Sequence, residues 1–335
     1  MVTHSTIHPT LYDFTNRLDP QDAVDAIAHV LEQSDDLMQY QVWKEGNLLT
    51  GHRTTVQTGL PQPTWRKLNG GVQPSVGKTA QITFSTGILA DYAEVDADLA
   101  ELNGNTAAWL ASENRMHLEG LRQEYFSTKF YGNEGSEAEA FTGLLPMFNS
   151  LSAPSGENII VADAGASGND QTSMWLIGYG QHTVHGIFPK GMKAGWHMEH
   201  KGKITIENAD GNGGRMEGYR TYYSWKCGLA VPDWRYVVRI GNIDTSALTG
   251  DASGGAKLVD CMTQAVEQIY EMSTVRPVFV CNRKVRSFLR RQMVAAIKNS
   301  TLTWDMVGGK RVFAFDGVPV VLCDQILNTE SPVGA

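Results

Sequence analysis

The sequence predicts an α+β fold, and three stretches of the chain support that prediction. Residues 105–131 carry apolar side chains at helical spacing over an unusual length. Residues 54–89 have the alternation and turn residues of a long polar hairpin. Residues 159–323 combine short β-rich runs with two amphipathic helices. We expect the long helix to be the central element against which the other parts of the chain pack.

Composition limits the classes of protein to consider. The 335 residues suggest two lobes or one large domain, and 42% hydrophobic with 19% charged residues allow a substantial core. The formal charge of −8 argues against a dedicated DNA-binding domain. The N-terminus has no secretory signal pattern, and no stretch approaches the ~18 apolar residues of a membrane span. The four scattered cysteines predict reduced, buried thiols in a cytosolic protein.

The first predicted element is a short helix capped by Asp19, with Pro20 at its first position. The hairpin of residues 54–89 follows. Its second limb places Ala80, Ile82 and Phe84 on one face, and the segment is poor in large aliphatic residues. A two-stranded ribbon is marginally stable at best in water, so we expect another subunit to hold it.

The long helix is predicted from Asn105, a plausible N-cap, to Tyr131, before Gly132. At 1.5 Å per residue it would be roughly 40 Å long, well beyond the usual globular helix. Its predicted apolar stripe consists of Leu110, His117, Leu118, Leu121 and Tyr125.

The remaining elements form a mixed sheet with two helices and a closing hairpin. Short strands are predicted at 159–161, 174–180, 203–207 and 234–240, and a long alternating strand includes Tyr219, Thr221, Tyr223, Trp225, Cys227 and Leu229. Helices are predicted at 255–271, capped by Ser253, and from Asn282 to Asn299. Asp316-Gly317 predicts a two-residue hairpin turn between the last two strands.

The motifs that would carry catalysis are incomplete. Gly71 and Gly77-Lys78-Thr79 resemble a P-loop, but five residues separate the glycines instead of four, and an alternating strand follows. No cysteine accompanies the pairs His182/His185 and His197/His200, and the intervening IFPKGMKAG offers no carboxylate, so solvent-facing or hydrogen-bonded histidines are the favoured interpretation. Residues 164–168 (AGASG) do not match a nucleophile elbow. We predict no catalytic residue, metal site or cofactor.

Two surfaces are candidates for assembly contacts. In the hairpin, Trp65 and Arg66 belong to residue types favoured at interface hot spots, and Lys67 follows them. The helix from Asn282 is basic and carries no acid. Either it faces nucleic acid or an acidic neighbour, or it is an ordinary solvated face. Its candidate residues are Arg283, Lys284, Arg286, Arg290 and Arg291.

Short phrases along nearly the whole chain resemble major capsid proteins of short-tailed, double-stranded DNA bacteriophages, which have the Hong Kong 97-type fold. The order of elements resembles that fold too. The phrases are 54–61 (TTVQTGLP), 65–66 (WR) with 68–71 (LNGG), 92–96 (YAEVD), 126–132 (FSTKFYG), 187–191 (IFPKG), 228–240 (GLAVPDWRYVVRI) and 317–320 (GVPV).

The resemblance implies a structural protein whose domains follow the chain. Residues 1–45 would be an N-terminal arm and 46–91 an extended loop. Residues 92–150 would form a peripheral domain around the long spine helix. Residues from about 151 to 300 would form the axial domain, and residues 301–335 would form the closing strands. Lysines of the extended loop form covalent crosslinks in the founding member of the fold, and Lys67 and Lys78 lie in that segment. No crosslinking is predicted, because nothing identifies a partner residue.

The resemblance also implies partners and a location. Copies would form hexamers and pentamers of an icosahedral shell around double-stranded DNA, with contacts through Trp65, Arg66, Lys67, Lys78, Ile82 and Phe84. A separate scaffolding protein, a portal and a decoration protein are implied, with assembly in the host cytoplasm and location in the virion. Two alternatives remain at this point: the shell protein of a bacterial nanocompartment, and a cytosolic metal- or nucleotide-dependent enzyme.

Overall fold

The computed structural model describes residues 8–9, 36–102, 104, 106–163, 168–207, 213–246, 248, 258–295, 302–307 and 310–333. The helix predicted after Asp19 and the caps predicted at Asn105 and Ser253 lie outside these residues. The described strands are β1 Trp43–Glu45, β2 Gly51–Gly59, β3 Lys78–Ser85, β4 Gly87–Asp96, β5 Ile159–Val161, β6 Gln171–Tyr179, β7 His185–Phe188, β8 His197–Glu207, β9 Arg215–Ala230, β10 Val237–Asp244, β11 Arg276–Cys281, β12 Leu302–Val307, β13 Lys310–Phe315 and β14 Val318–Leu322. The described α-helices are α1 Ala97–Glu101, α2 Thr106–Tyr131, α3 Leu144–Met147, α4 Leu258–Gln268 and α5 Arg283–Ala295.

The chain divides into two compact units. The first contains residues 88–126 and 195–226, and the second contains Ser34–Gly87, Ser127–Ala194 and Cys227–Ala335. Residues 195–226 therefore group with most of the long helix α2 and not with the rest of the 151–300 segment.

In the first unit, β9 is hydrogen-bonded to both β4 and β8, and β8 runs antiparallel to it. The buried face of α2 contributes Trp109, Leu121 and Tyr125. Tyr125 packs against Trp225 of β9, with ring centroids 4.3 Å apart, and Trp196 stacks on the same indole at 4.2 Å. Aromatic pairs at these distances add stabilisation beyond their buried area, which suits a long helix with a narrow apolar stripe.

The second unit is built on a seven-stranded sheet in the order β12-β13-β14-β11-β6-β10-β5. The β10–β5 and β11–β14 pairs are parallel and the others are antiparallel. Strand β6 is buried along its whole length. Helices α4 and α5 belong to one core cluster with the sheet, which includes Met262, Leu289 and Leu176. Trp175 of β6 instead contacts Phe130 and Phe148.

The predicted long helix is confirmed over Thr106–Tyr131, although its buried face differs in part. Leu121 and Tyr125 are buried as predicted, whereas Leu110, His117 and Leu118 are only half-buried. Trp109, absent from the predicted stripe, is 1% exposed because it joins a cluster with Val95 and Ala100.

Several other boundaries are corrected by the structure. Residues 234–236 form a turn of 3₁₀-helix before β10, because Asp233 caps it by accepting a hydrogen bond from the Arg235 amide. Helix α4 ends at Gln268 instead of residue 271, β8 is longer than predicted, and β1, β4, β7, β11 and β12 were not predicted. The hairpin turn at Asp316-Gly317 is confirmed, with φ of 49° and 76°. The cap at Asn282 is confirmed as well, because its side-chain oxygen accepts a hydrogen bond from the Val285 amide at 2.9 Å.

Candidate assembly interface

The hairpin formed by β2 and β3 has a short buried root and a long exposed remainder. The strands pair antiparallel from Gly51↔Ser85 to Gly59↔Lys78. At the root, His52 and Phe84 are buried, and a side chain at Gly51 would collide with the Phe84 carbonyl. Beyond the root, every residue from 60 to 83 except Gly70 is exposed. A ribbon exposed on both faces has no core of its own.

The tip of the hairpin presents the predicted contact residues. Trp65 is 104% exposed, and Arg66 and Lys67 are exposed beside it. A turn orders this stretch, because the Gly70 amide donates to the Lys67 carbonyl at 3.0 Å and Asn69 has a φ of 63°. Asparagine tolerates that left-handed conformation better than most residues.

The candidates on β3 have different environments. Lys78 is exposed, and Ile82 is 40% exposed. Phe84 is 9% exposed and packs within its own subunit against Ile187, Ala230 and Met147. The expectation that Ala80, Ile82 and Phe84 form one unpartnered row is therefore wrong at Phe84, because the ribbon meets the body of the subunit there.

A cavity of about 330 Å³ opens beside the root of the hairpin. It is lined by Ile82, Thr83, Phe84, Ser85, Glu134, Thr142, Met147, Leu229 and Val231. Glu134 is exposed, and it accepts a hydrogen bond from the Ser85 hydroxyl at 2.8 Å. The sequence pointed to Ile82 and Phe84 but not to the other lining residues, because these come from segments far apart in the chain.

Arg283 and Arg291 of the basic helix α5 make polar contacts within the subunit. Arg283 forms an ion pair with Asp324 at 2.7 Å, and this partner raises the pKa of the guanidinium. Arg291 donates to the Leu248 carbonyl at 2.8 Å. Lys284 and Arg290 are exposed, whereas Arg286 is half-buried. Arg283 and Arg291 are exposed as well, so four of the five candidates lie on the solvent side of the helix.

The histidine pairs do not form a metal site within the described part of the chain. Among the described residues there is no group of three or more potential metal ligands. His185 is buried beside His52, with ring centroids 5.7 Å apart, whereas His182, His197 and His200 are exposed. The pKa of His185 is lowered to about 4, mainly by burial and then by the charges of Lys44 and His52, while a hydrogen bond with the Gly180 backbone acts in the opposite direction.

The other sequence motifs also have structural explanations. The Gly71–Thr79 segment ends in strand β3, so it does not lead into the helix that a P-loop requires. All four cysteines are free and buried, as predicted, and burial raises the pKa of Cys281 to about 12. Among the described residues, no helix is long and apolar enough to cross a membrane.

A family model described as major capsid protein GP7 matches residues 19–334. The chain belongs to this major capsid protein family. It is a structural protein of icosahedral bacteriophage shells and not an enzyme, and the structure agrees with the Hong Kong 97-type α+β fold that the sequence predicted.

Solved structures were compared with the chain as well, and the first of the following three supports the family match. The capsid protein in the bacteriophage Epsilon15 structure is 34% identical, with a TM-score of 0.75 and full coverage of both chains. A bacteriophage JBD30 capsid chain is 8% identical, with a TM-score of 0.48 and coverage of 89% of this chain and 92% of that one. The holo-SrpI encapsulin complex from Synechococcus elongatus PCC 7942 gives 12% identity, a TM-score of 0.43 and coverage of 66% and 92%. A comparison with curated proteins finds no match.

Proposed function

We propose that this capsid protein assembles as hexamers and pentamers that close a shell around double-stranded DNA, and that the β2–β3 hairpin is the main strap between neighbouring copies. This proposal rests on one observation: every residue from 60 to 83 except Gly70 is exposed. Such a segment gains its stability from another chain, and Trp65, Arg66, Lys67, Lys78 and Ile82 supply side chains for that contact.

We assign the regions of the chain to roles within such a shell. Residues 1–45 would be the N-terminal arm and 46–91 the extended loop. The peripheral domain would contain 92–150 and, in addition, 195–226, because β8 and β9 belong to the same compact unit as most of α2. The rest of 151–300 would be the axial domain, and 301–335 would supply the closing strands.

Further partners follow from the same role. A scaffolding protein, a portal and a decoration protein would act with the shell, which would assemble in the host cytoplasm. Packaged DNA would be contacted without sequence specificity, because the formal charge of −8 leaves only local basic surface such as α5 for phosphate groups.

The role of the hairpin as a strap between copies can be tested by replacing residues 60–77 with a short Gly-Ser turn. The folded subunit should keep its far-UV circular dichroism and its melting temperature, because the replaced residues other than Gly70 are exposed. Closed particles, measured by sedimentation and electron microscopy, should be lost. Trp65→Ala should weaken assembly by about 2 kcal/mol per interface, the usual size of a hot-spot effect.

Leu102→Ala is the matched control, since Leu102 is a 62% exposed apolar residue outside the hairpin. It should leave the particle yield close to that of the wild type. Normal particles from the shortened hairpin would refute the strap. Unfolding of the shortened subunit would show instead that the tip stabilises its own chain.

A further inference from the structure

The cavity beside the hairpin root has the composition of an acceptor for one amphipathic side chain. Its walls are mostly apolar, from Ile82, Phe84, Met147, Leu229 and Val231, and its one charged lining residue is Glu134. At about 330 Å³ it is at the small end of protein binding pockets. An occupant that suits it carries a large apolar group with positive charge next to it.

We infer that this cavity receives Trp65 from the hairpin tip of a second copy, and that Glu134 then meets Arg66 or Lys67 of that tip. Trp65 has the largest exposed fraction among the described large hydrophobic side chains. Two cations follow it directly in the sequence, and Glu134 supplies the opposite charge. A carboxylate has more acceptor sites than its one bond from Ser85 uses, so it can still bind a guanidinium or ammonium group.

The tip of the same copy does not fill the cavity. Trp65 is fully exposed, so it is not packed against any described part of its own chain. The eight residues of β3 also place the start of the tip roughly 20–25 Å from the root, at the usual rise of about 3.3 Å per strand residue. The hairpin therefore carries Trp65 away from its own cavity and towards a neighbour.

A contact from the tip of one copy to the root of the next joins two different surfaces. Repeated contacts of this kind generate a closed ring when the rotation between copies closes. This inference rests on the proposed function, because it names the acceptor for the strap proposed above. Both the exposed Ile82 and the buried Phe84 of β3 line the cavity.

A disulfide experiment tests the pairing directly in assembled particles. Arg66→Cys with Glu134→Cys should form links between subunits after oxidation and give a ladder of covalent oligomers on a non-reducing gel. Each single variant should give no ladder, because the four native cysteines are buried. Arg66→Cys with Glu137→Cys is the matched control, since Glu137 is an exposed acid of the same loop that does not line the cavity.

A charge exchange covers the case in which the cysteine variants do not assemble. Glu134→Lys should lower the particle yield at least tenfold, and adding Arg66→Glu and Lys67→Glu should restore most of it. Glu137→Lys should assemble like the wild type.

The outcomes separate the acceptor from the strap. A covalent ladder or a charge rescue supports the acceptor. Particles that give neither a ladder nor a charge rescue would overturn the acceptor, and so would a disulfide link within one subunit. If Trp65→Ala abolishes particles while links to position 134 are absent, the strap stands and the acceptor is wrong. If Trp65→Ala assembles normally, the strap itself fails.

Discussion

Arg239 and Glu330 form a buried ion pair in the second unit, with side chains 2% and 3% exposed. Arg239 donates to Glu330 at 2.9 Å, to the Ser173 hydroxyl at 3.0 Å and to the Phe148 carbonyl at 2.8 Å. Tyr131 donates to the other carboxylate oxygen at 2.6 Å. Burial lowers the pKa of Arg239, and Glu330 opposes that shift. The pair thus connects α2, β6 and β10 to the segment after β14.

Removing one partner of this pair should destabilise the subunit strongly. Glu330→Gln leaves a buried guanidinium without its counter-charge, which typically costs about 3–5 kcal/mol. The loss should be visible as a lower urea midpoint for the unassembled subunit. Arg239→Met with Glu330→Met should cost less than the sum of the two single changes. Arg215→Met is the control, because its pair with Glu207 is 70% and 73% exposed; equal effects would contradict the prediction.

His185 should make the subunit sensitive to acid. Its pKa is about 4 in the folded chain, below the ordinary value of 6.5, so the unfolded chain binds the proton more readily. The contribution of His185 to the free energy of unfolding is greatest above pH 6.5. It falls by about 2–3 kcal/mol as the pH decreases from there towards 4. His185→Phe should flatten the slope of the free energy of unfolding between these pH values.

The titration of His117 does not contribute to the pH dependence expected for His185. Glu113 and Asp91 raise its pKa, against the effect of burial, and the ring also stacks on Tyr223. Its contribution is therefore complete below pH 6.5 and is lost at higher pH, as the pH rises through the raised value. If His185→Phe has the same slope of the free energy of unfolding against pH as the wild type in this acid range, the role of His185 is contradicted.

At the scale of elements, the sequence was informative where one segment determines its own structure. Helix α2, the cap of α5 and the Asp316-Gly317 turn all depend on local spacing and local backbone chemistry. Strand β4 was missed, because its burial comes from distant partners such as Tyr223. The cavity was missed for the same reason, since Glu134, Met147 and Leu229 meet only after folding.

The basic helix α5 gives a prediction about electrostatics. Lys284→Glu with Arg290→Glu should leave the subunit folded, since both side chains are exposed. If the helix meets DNA or an acidic neighbour, particle yield or DNA content should fall. The difference from the wild type should be larger at low salt, because salt screens exposed charges.

Lys193→Glu is the control for that experiment, because Lys193 is an exposed cation outside the helix. It should change particle yield and DNA content less than the double variant. Unchanged particles and DNA content in the double variant would leave α5 as a solvated face.

At the scale of the whole molecule, stability should not depend on a metal ion or a nucleotide. The Gly71–Thr79 segment ends in a strand, and the described histidines form no metal cluster. Melting curves with EDTA, zinc or ATP should therefore coincide within error. A shift of several degrees with any of them would indicate a bound ligand, since a ligand of the native state stabilises it by mass action.

The buried ion pair also has a consequence for the timing of synthesis. Glu330 follows Arg239 by 91 residues, and the ribosome adds about 5–20 residues per second. For about 5–18 seconds, the nascent chain has β6 and β10 but lacks the carboxylate that neutralises Arg239. Strands β11 and β14 are synthesised in that interval, and Val333, whose carbonyl accepts a hydrogen bond from Asn242, follows Glu330. The Arg239–Glu330 pair can therefore form only after residues 240–330 have been synthesised.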